Sequence, residues 1–415
     1  MKRILSMLLI LVLLSVSCGA LAEDAPIQWL HHYGEDSARA WVAEITSAFT
    51  AETGIPFDVQ ATSTDNYNTM LKAKIASSDA PDIFSLDSTE IANYVKNNYL
   101  ADLTGLPFWN SLVDGTAQST QTDGKNYFLP FEFSAAGAFY NMDVFEAAGI
   151  DTMPTTYTAF MAMLQKLKDY GVTPIAFGSQ ERWTIVNDFR ADLMATLLKN
   201  NPNYVEDMQE RKARFADDAL MKEMMTKFKA RYAFGNADPF GTDWNKATEM
   251  VATGEAAMVI NGNWAAGAIQ EKNPDVRVGA FAVPATDDPA DTTLTVWLSS
   301  GFVIYNDSPL KQQCIDFFST LAGKDSGNFW MKQAKRLNSI KDLDESDDTA
   351  INAINAYLNA AQIFDTSSIT PEFSDEYGEA LLDVFTFYLM DEIKDVDAAA
   401  AELDARFDEV YTKRN

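Results

Sequence analysis

One stretch constrains the fold more than any other in this chain of 415 residues: Gly-Glu-Ala-Ala-Met-Val-Ile-Asn-Gly-Asn-Trp at 254–264. The apolar run 257–260 stops at Asn261-Gly262, so it reads as a buried parallel strand ending in a tight turn, with Asn263 and Trp264 displayed just past it. Residues 247–254 carry helical spacing and close on Gly254, and a helix resumes at Ala265. In open α/β sheets, ligands sit outside the carboxyl ends of the strands. Trp264 is therefore expected at the mouth of a crevice.

The rest of the chain agrees with an α/β class. A strand at 27–33, an amphipathic helix at 38–53, a strand at 57–61, a helix at 66–78 and a strand at 82–86 read as β-α-β-α-β, the doubly wound pattern. Asp123-Gly124 predicts a hairpin-like turn. A helix at 157–170 precedes a strand at 174–177. The region 185–232 is mostly helical and Met-rich, and its helices at 208–225 read as core filling rather than a recognition surface. Further strands are expected at 276–283 and 294–305, and the polar segment 285–293 between them is the best linker candidate. Helices at 309–321, 325–335, 349–362, 375–394 and 396–413 complete the pattern.

Several residues near predicted strand ends carry recognition chemistry. Trp264 and Trp183 each follow a strand by a short polar or glycine-containing turn, and Trp297 precedes Leu298-Ser299-Ser300-Gly301. Asn261 and Asn263 either contact a ligand or cap the next helix. Asp87 ends the third strand, where it is an acceptor, a helix cap, or both. His31, His32, Tyr33 and Glu35 close the first strand. Alternation turns the two histidines to opposite faces, so one of these four residues is expected to touch a ligand. Two adjacent histidines do not make a metal site. The remaining tryptophans, at 29, 41, 109, 244 and 330, are read as core.

Five segments in order carry a family resemblance: Ala-Pro-Asp-Ile-Phe-Ser-Leu-Asp at 80–87, Pro-Phe-Glu-Phe through Ala-Gly-Ile-Asp at 130–151, Thr-Pro-Ile-Ala-Phe at 173–177, Trp183, and the 254–264 stretch. Together they resemble family 1 extracellular solute-binding proteins, the carbohydrate receptors of bacterial ABC importers. The resemblance runs from about Ile27 to the C-terminus. It implies a type II periplasmic-binding-protein-like α/β fold of two lobes, each a mainly parallel sheet flanked by helices, with the ligand cleft between them. Lobe 1 is then expected at 23–131 and 294–341 and lobe 2 at 132–284 and 348–415, joined by hinge segments 285–293 and 342–347. It also implies aromatic contacts at Trp264 and Trp183 and a hydroxyl acceptor at Asp87; Glu132, at the first crossing, is similar. Sugar sites combine aromatic platforms with charge-assisted hydrogen bonds. The implied partners are a mono- or oligosaccharide and ABC permease subunits. The implied action is capture by lobe closure as a monomer, with no cofactor.

Residues 1–22 read as an export leader: Lys2-Arg3, an apolar run 4–16, then small residues. Processing follows one of two routes, cleavage after Ala20-Leu21-Ala22 or lipidation of Cys18 in Ser15-Val16-Ser17-Cys18. The expected location is periplasmic, or lipid-anchored at the outer face of the cytoplasmic membrane. Loss of the leader leaves Cys314, a small core residue by its helical setting, and no internal disulfide. The formal charge is −28, and −30 without the two leader cations, which excludes nucleic-acid binding. A glycoside hydrolase is the rival from another class, but 60 acidic residues supply carboxylate pairs by chance, and no H-E-x-x-H, G-x-S-x-G or phosphate-loop motif is present. A same-fold receptor for a polyamine or other small polar solute is the nearer alternative.

Overall fold

The computed structural model describes residues 25–62, 64–367, 369, 373 and 375–414. The leader and Cys18 lie outside them. Ten strands occur among the described residues: β1 (Ile27–His31), β2 (Phe57–Ala61), β3 (Ile83–Asp87), β4 (Phe133–Asn141), β5 (Thr173–Ile175), β6 (Ala256–Gly262), β7 (Val278–Phe281), β8 (Leu294–Leu298), β9 (Ser300–Ile304) and β10 (Ile363–Asp365). Among the described residues the chain divides into two compact units: those up to Phe133, Leu298–Ala334 and Asn338–Glu345 form unit 1, and Ser134–Trp297, Lys335–Leu337 and those from Ser346 on form unit 2.

Unit 1 is built on the sheet β2-β1-β3-β9, parallel except for the antiparallel pair β3–β9. Strand alternation splits its core in two. Trp29, Ile83, Phe302 and Ile304 face one side, together with Trp41, Phe317 and Trp330 from helices. Leu30, Phe84, Leu86 and Val303 face the other, against Tyr67 and Leu71. The helix Asp36–Thr53 buries Ala38, Trp41, Val42, Ile45 and Phe49, one stripe at three- and four-residue spacing. Cys314 is fully buried there. Desolvation pushes its thiol above the usual range, so it is inert.

Unit 2 has the sheet β10-β8-β4-β6-β5, with β7 also on β4. The strand in the 254–264 stretch is parallel to β5 but antiparallel to β4, so the sheet is mixed rather than parallel throughout. All seven residues of β6 are buried. A second core packs Met208, Met221, Met224 and Met225 among Phe189, Phe228, Phe385 and Phe407, so the Met-rich region is core.

Three boundaries differ from the expectation. The run 294–305 is two strands, not one. β8 pairs with β10 in unit 2 and β9 with β3 in unit 1, so the chain enters unit 1 at Leu298 rather than 294. The first crossing follows Phe133, which leaves Glu132 in unit 1. The segment 285–293, expected as a hinge, lies wholly within unit 2 and is tied down. Lys227 and Lys199 donate to the carbonyls of Ala285 and Asp291, Thr158 donates twice to Asp287, and Thr292 donates to Thr155. Polar composition marked it as a linker, but here the polar groups serve as anchors. The last crossing falls between Glu345 and Ser346.

Candidate functional site

In unit 2 Trp264 and Trp183, expected past strand ends, come together with Trp297, which the sequence left open between a ligand contact and packing under the hinge. Trp264 opens the helix Trp264–Lys272 directly after β6, and Trp183 opens the helix Trp183–Phe189 after the β5 loop. Their ring centroids are 6.3 Å apart. Trp297, near the end of β8, meets Trp264 edge to face at 6.4 Å. Trp244, read as core from sequence, extends the row, meeting Trp183 at 5.2 Å. Trp183 and Trp264 are half-buried and offer ring surface, whereas Trp244 and Trp297 are buried and back them.

Gly262 is required by this packing. A Cβ there would fall 2.2 Å from the Trp264 ring carbons, so the strand end must be bare for the indole to lie across it. Asn263 is buried and its side-chain oxygen accepts from the Ala135 N–H at 3.1 Å, which ties the turn to β4. Asn261 is buried and accepts from Gly262 N–H. Neither caps the following helix with its side chain: Asn263 stands at the cap position without such a bond.

The Arg190 guanidinium lies over Trp297 at 4.7 Å. It sits in a π-helical turn, Arg190–Met194, two turns beyond Trp183. That seven-residue spacing is the signal by which the sequence could have linked Arg190 to Trp183. Asp188 and Asp192, on the same helical path, both meet the buried Arg231 at 3.0 Å. Asp192 accepts a hydrogen bond, whereas Asp188 lacks hydrogen-bond alignment and is held by charge. Desolvation pushes the Asp188 carboxyl up to about 7, the Arg231 charge offsetting part of the rise. Desolvation raises Asp192 as well.

In unit 1 the expected residues divide. His31 and Tyr33 point with Trp29 into the core, where Tyr33 lies against Trp330 at 5.3 Å and His31 against Trp29 at 5.8 Å. His31 Nδ1 accepts from the Tyr33 N–H, and burial, then His32 and Arg39, holds its pKa down at about 3. His32 points the other way, half-buried, against Tyr67 at 5.5 Å. Glu35 is half-buried at the start of the helix Asp36–Thr53. Asp87 is exposed at the end of β3, and its backbone pairs with Ser300. The buried Glu132 donates its N–H to the carbonyl of that same Ser300 and accepts from Ser299 N–H. Asp87 and Glu132 thus flank the start of β9. No group of three metal-ligating side chains occurs among the described residues.

Comparison with known proteins gives the family and the fold. The family profile described as bacterial extracellular solute-binding protein matches residues 34–328. A multiple sugar-binding protein of Streptococcus mutans is 27% identical over 54% of this chain and 55% of its own length. The melibiose/raffinose/stachyose-binding protein MelE of Bacillus subtilis is 24% identical over 76% of this chain and 75% of its own. The chain spans about half the length of the first curated relatives it matches. Among solved structures, RafE in complex with raffinose superposes with a TM-score of 0.79 at 18% identity, covering 93% of this chain and all of that one. These structures share the type II receptor fold. The family match covers well over half of the sequence, and the chain belongs to the bacterial extracellular solute-binding proteins, a family of substrate-binding receptors.

Proposed function

We propose that this protein is the extracytoplasmic receptor of an ABC importer and that its cargo is an oligosaccharide, delivered to the permease without chemical change. The observation that carries the reading is the convergence of Trp183, Trp264 and Trp297 in unit 2. Half-buried indoles suit the apolar C–H faces of sugars, and a spacing of 6.3 Å between the two open rings suits consecutive residues of a short glycan. The names of the relatives, which bind multiple sugars, raffinose or diacetylchitobiose, support the same class. Asp87, His32 and Glu35 at the strand edge of unit 1 are proposed as a second, polar set that accepts or donates to hydroxyls. Glu132, buried beside Ser300, holds that edge. Tyr33 supports His32 from within the core. Export by the leader, as a free or lipid-anchored protein, belongs to the same proposal.

A thermal-shift screen of the chain from Glu23 onward tests it, with raffinose, maltotriose, chitobiose, glucose, galactose and spermidine as probes. At 1,000-fold excess over Kd, a ligand bound only by the folded state adds about 4 kcal/mol, a shift of several degrees. The proposal expects a shift with one oligosaccharide class that disappears in Trp264→Ala. A response to spermidine alone would overturn the cargo, and steady release of monosaccharide would make the protein an enzyme.

A further inference from the structure

The loop between β5 and Trp183 is fixed at several points. The N–H groups of Ser179 and Gln180 donate to the carbonyls of Pro239 and Thr242, and the Thr184 hydroxyl bonds the carbonyls of Gly178 and Glu181. Gly178 allows the approach: a Cβ there would stand 3.0 Å from Trp244 Cα and 3.1 Å from the Asp243 carbonyl carbon. The Glu181 backbone is thereby held beside the first turn of the ten-residue helix Trp244–Thr253. Its carboxylate is shared. Oε2 accepts from the Trp183 indole N–H at 2.8 Å, and Oε1 accepts from the Trp244 backbone N–H at 3.3 Å.

We propose that Glu181 is a positioning residue of the tryptophan site: one carboxylate, anchored on a helix N-terminus, sets the plane that the Trp183 indole offers to a sugar. This rests on reading the row as a sugar site. A half-buried tryptophan next to solvent has several side-chain rotamers open to it. A charge-assisted bond at the indole nitrogen selects one, and turning the ring over would break it. Trp244, edge-on at 5.2 Å, blocks the opposite movement. The helix N-terminus favours the carboxylate where it stands. The platform is therefore ordered before a ligand arrives, so little ordering cost remains to be met at binding.

The test compares Glu181→Ala and Glu181→Gln with the wild type in two readouts. The first is the indole ¹H–¹⁵N resonance of Trp183, assigned by its loss in Trp183→Phe, together with its exchange rate with water. Glu181→Ala should move the resonance upfield and speed its exchange about 10-fold or more, whereas Glu181→Gln, whose single acceptor oxygen can serve the indole or the Trp244 N–H but not both, should fall between Glu181→Ala and wild type. The second is affinity for raffinose, maltotriose and chitobiose, with about a 5- to 30-fold loss in Glu181→Ala and a smaller one in Glu181→Gln. If Glu181→Ala lowers the melting temperature while the Trp183 resonance stays in place, Glu181 is only a helix anchor and the proposal is overturned. A moved resonance with unchanged affinity overturns it too. If none of the three sugars binds the wild type, the sugar reading fails, and the resonance still decides whether Glu181 orders the indole.

Discussion

The two units treat their strand ends differently. In unit 2 the residue just past β6, the one after the β5 loop and the one near the end of β8 are tryptophans that gather into one row, and the helical path that starts at Trp183 is joined to the helix Ala219–Tyr232 by the buried ion cluster Asp188–Arg231–Asp192. In unit 1 the corresponding edge is polar. Half of its expected residues have been drawn into the core, with His31 buried and neutral, while His32 is half-buried and Asp87 exposed. The same strand-edge rule therefore yields an aromatic platform in one unit and a set of hydrogen-bonding groups in the other. Stacking surface is large and little altered by salt, whereas exposed carboxylates add direction more than affinity.

The contrast can be broken most severely at Arg231. Arg231→Met leaves two buried carboxylates facing one another, and urea unfolding should show a loss of about 3–5 kcal/mol; a loss under about 1 kcal/mol would mean the cluster does not organise unit 2. Next comes the ring over Gly262. Gly262→Ala should cost about 1–3 kcal/mol through overpacking and also weaken sugar binding, yet be nearly neutral when combined with Trp264→Ala, because the clash is with that indole. Equal costs in both backgrounds would refute the packing.

Acid titration should separate the units by sign. Asp188 has a folded pKa of about 7, above its unfolded value near 3.9, so the folded state binds the extra proton in between. Its contribution is complete below about pH 4 and is lost as pH rises towards 7, with a slope of at most about 1.4 kcal/mol per pH unit. His31 does the reverse. Its folded pKa of about 3 lies below 6.5, so stability is present above 6.5 and falls as pH drops through that window. Stability curves of Asp188→Asn and His31→Gln should lose opposite slopes, and two slopes of one sign would contradict the burial of one group or the other. The smallest effect is expected at Asp87, where Asp87→Asn should weaken sugar binding about 10-fold or less and leave the melting temperature within a few degrees, as befits an exposed side chain.

Much of this was legible in the sequence for local reasons. β2 has the expected bounds, and β1, β3 and β6 came from apolar runs ended by turn residues. The Asp123-Gly124 turn has both residues at positive φ, as that dipeptide favours. Trp183 and Trp264 stood out because each lies past the end of a predicted strand, Trp264 after a tight turn and Trp183 after a polar loop. What the sequence hid depended on distant partners. The split of 294–305 at Ser299 is decided by β10 and β3, which pair with its two halves from elsewhere in the chain. The anchoring of 285–293 depends on Lys199 and Lys227. Trp244 reads as core on its own helix, and only its contact with Trp183 brings it into the row. Tyr33, at a strand end, looked available; Trp330, some three hundred residues on, covers it.

The central claim is that the tryptophan row of unit 2 is the sugar platform. Isothermal titration of the wild type with the oligosaccharide that gives the largest thermal shift, repeated on Trp264→Ala and Trp183→Ala with Trp109→Phe as control, tests it most directly. The account predicts at least about 30-fold weaker binding for Trp264→Ala, the loss expected of an aromatic anchor. It also predicts a loss of about 10-fold or more for Trp183→Ala and no change for Trp109→Phe, whose indole bonds the Leu103 carbonyl in unit 1. Affinity within twofold of wild type in both alanine variants, each still folded, would contradict it.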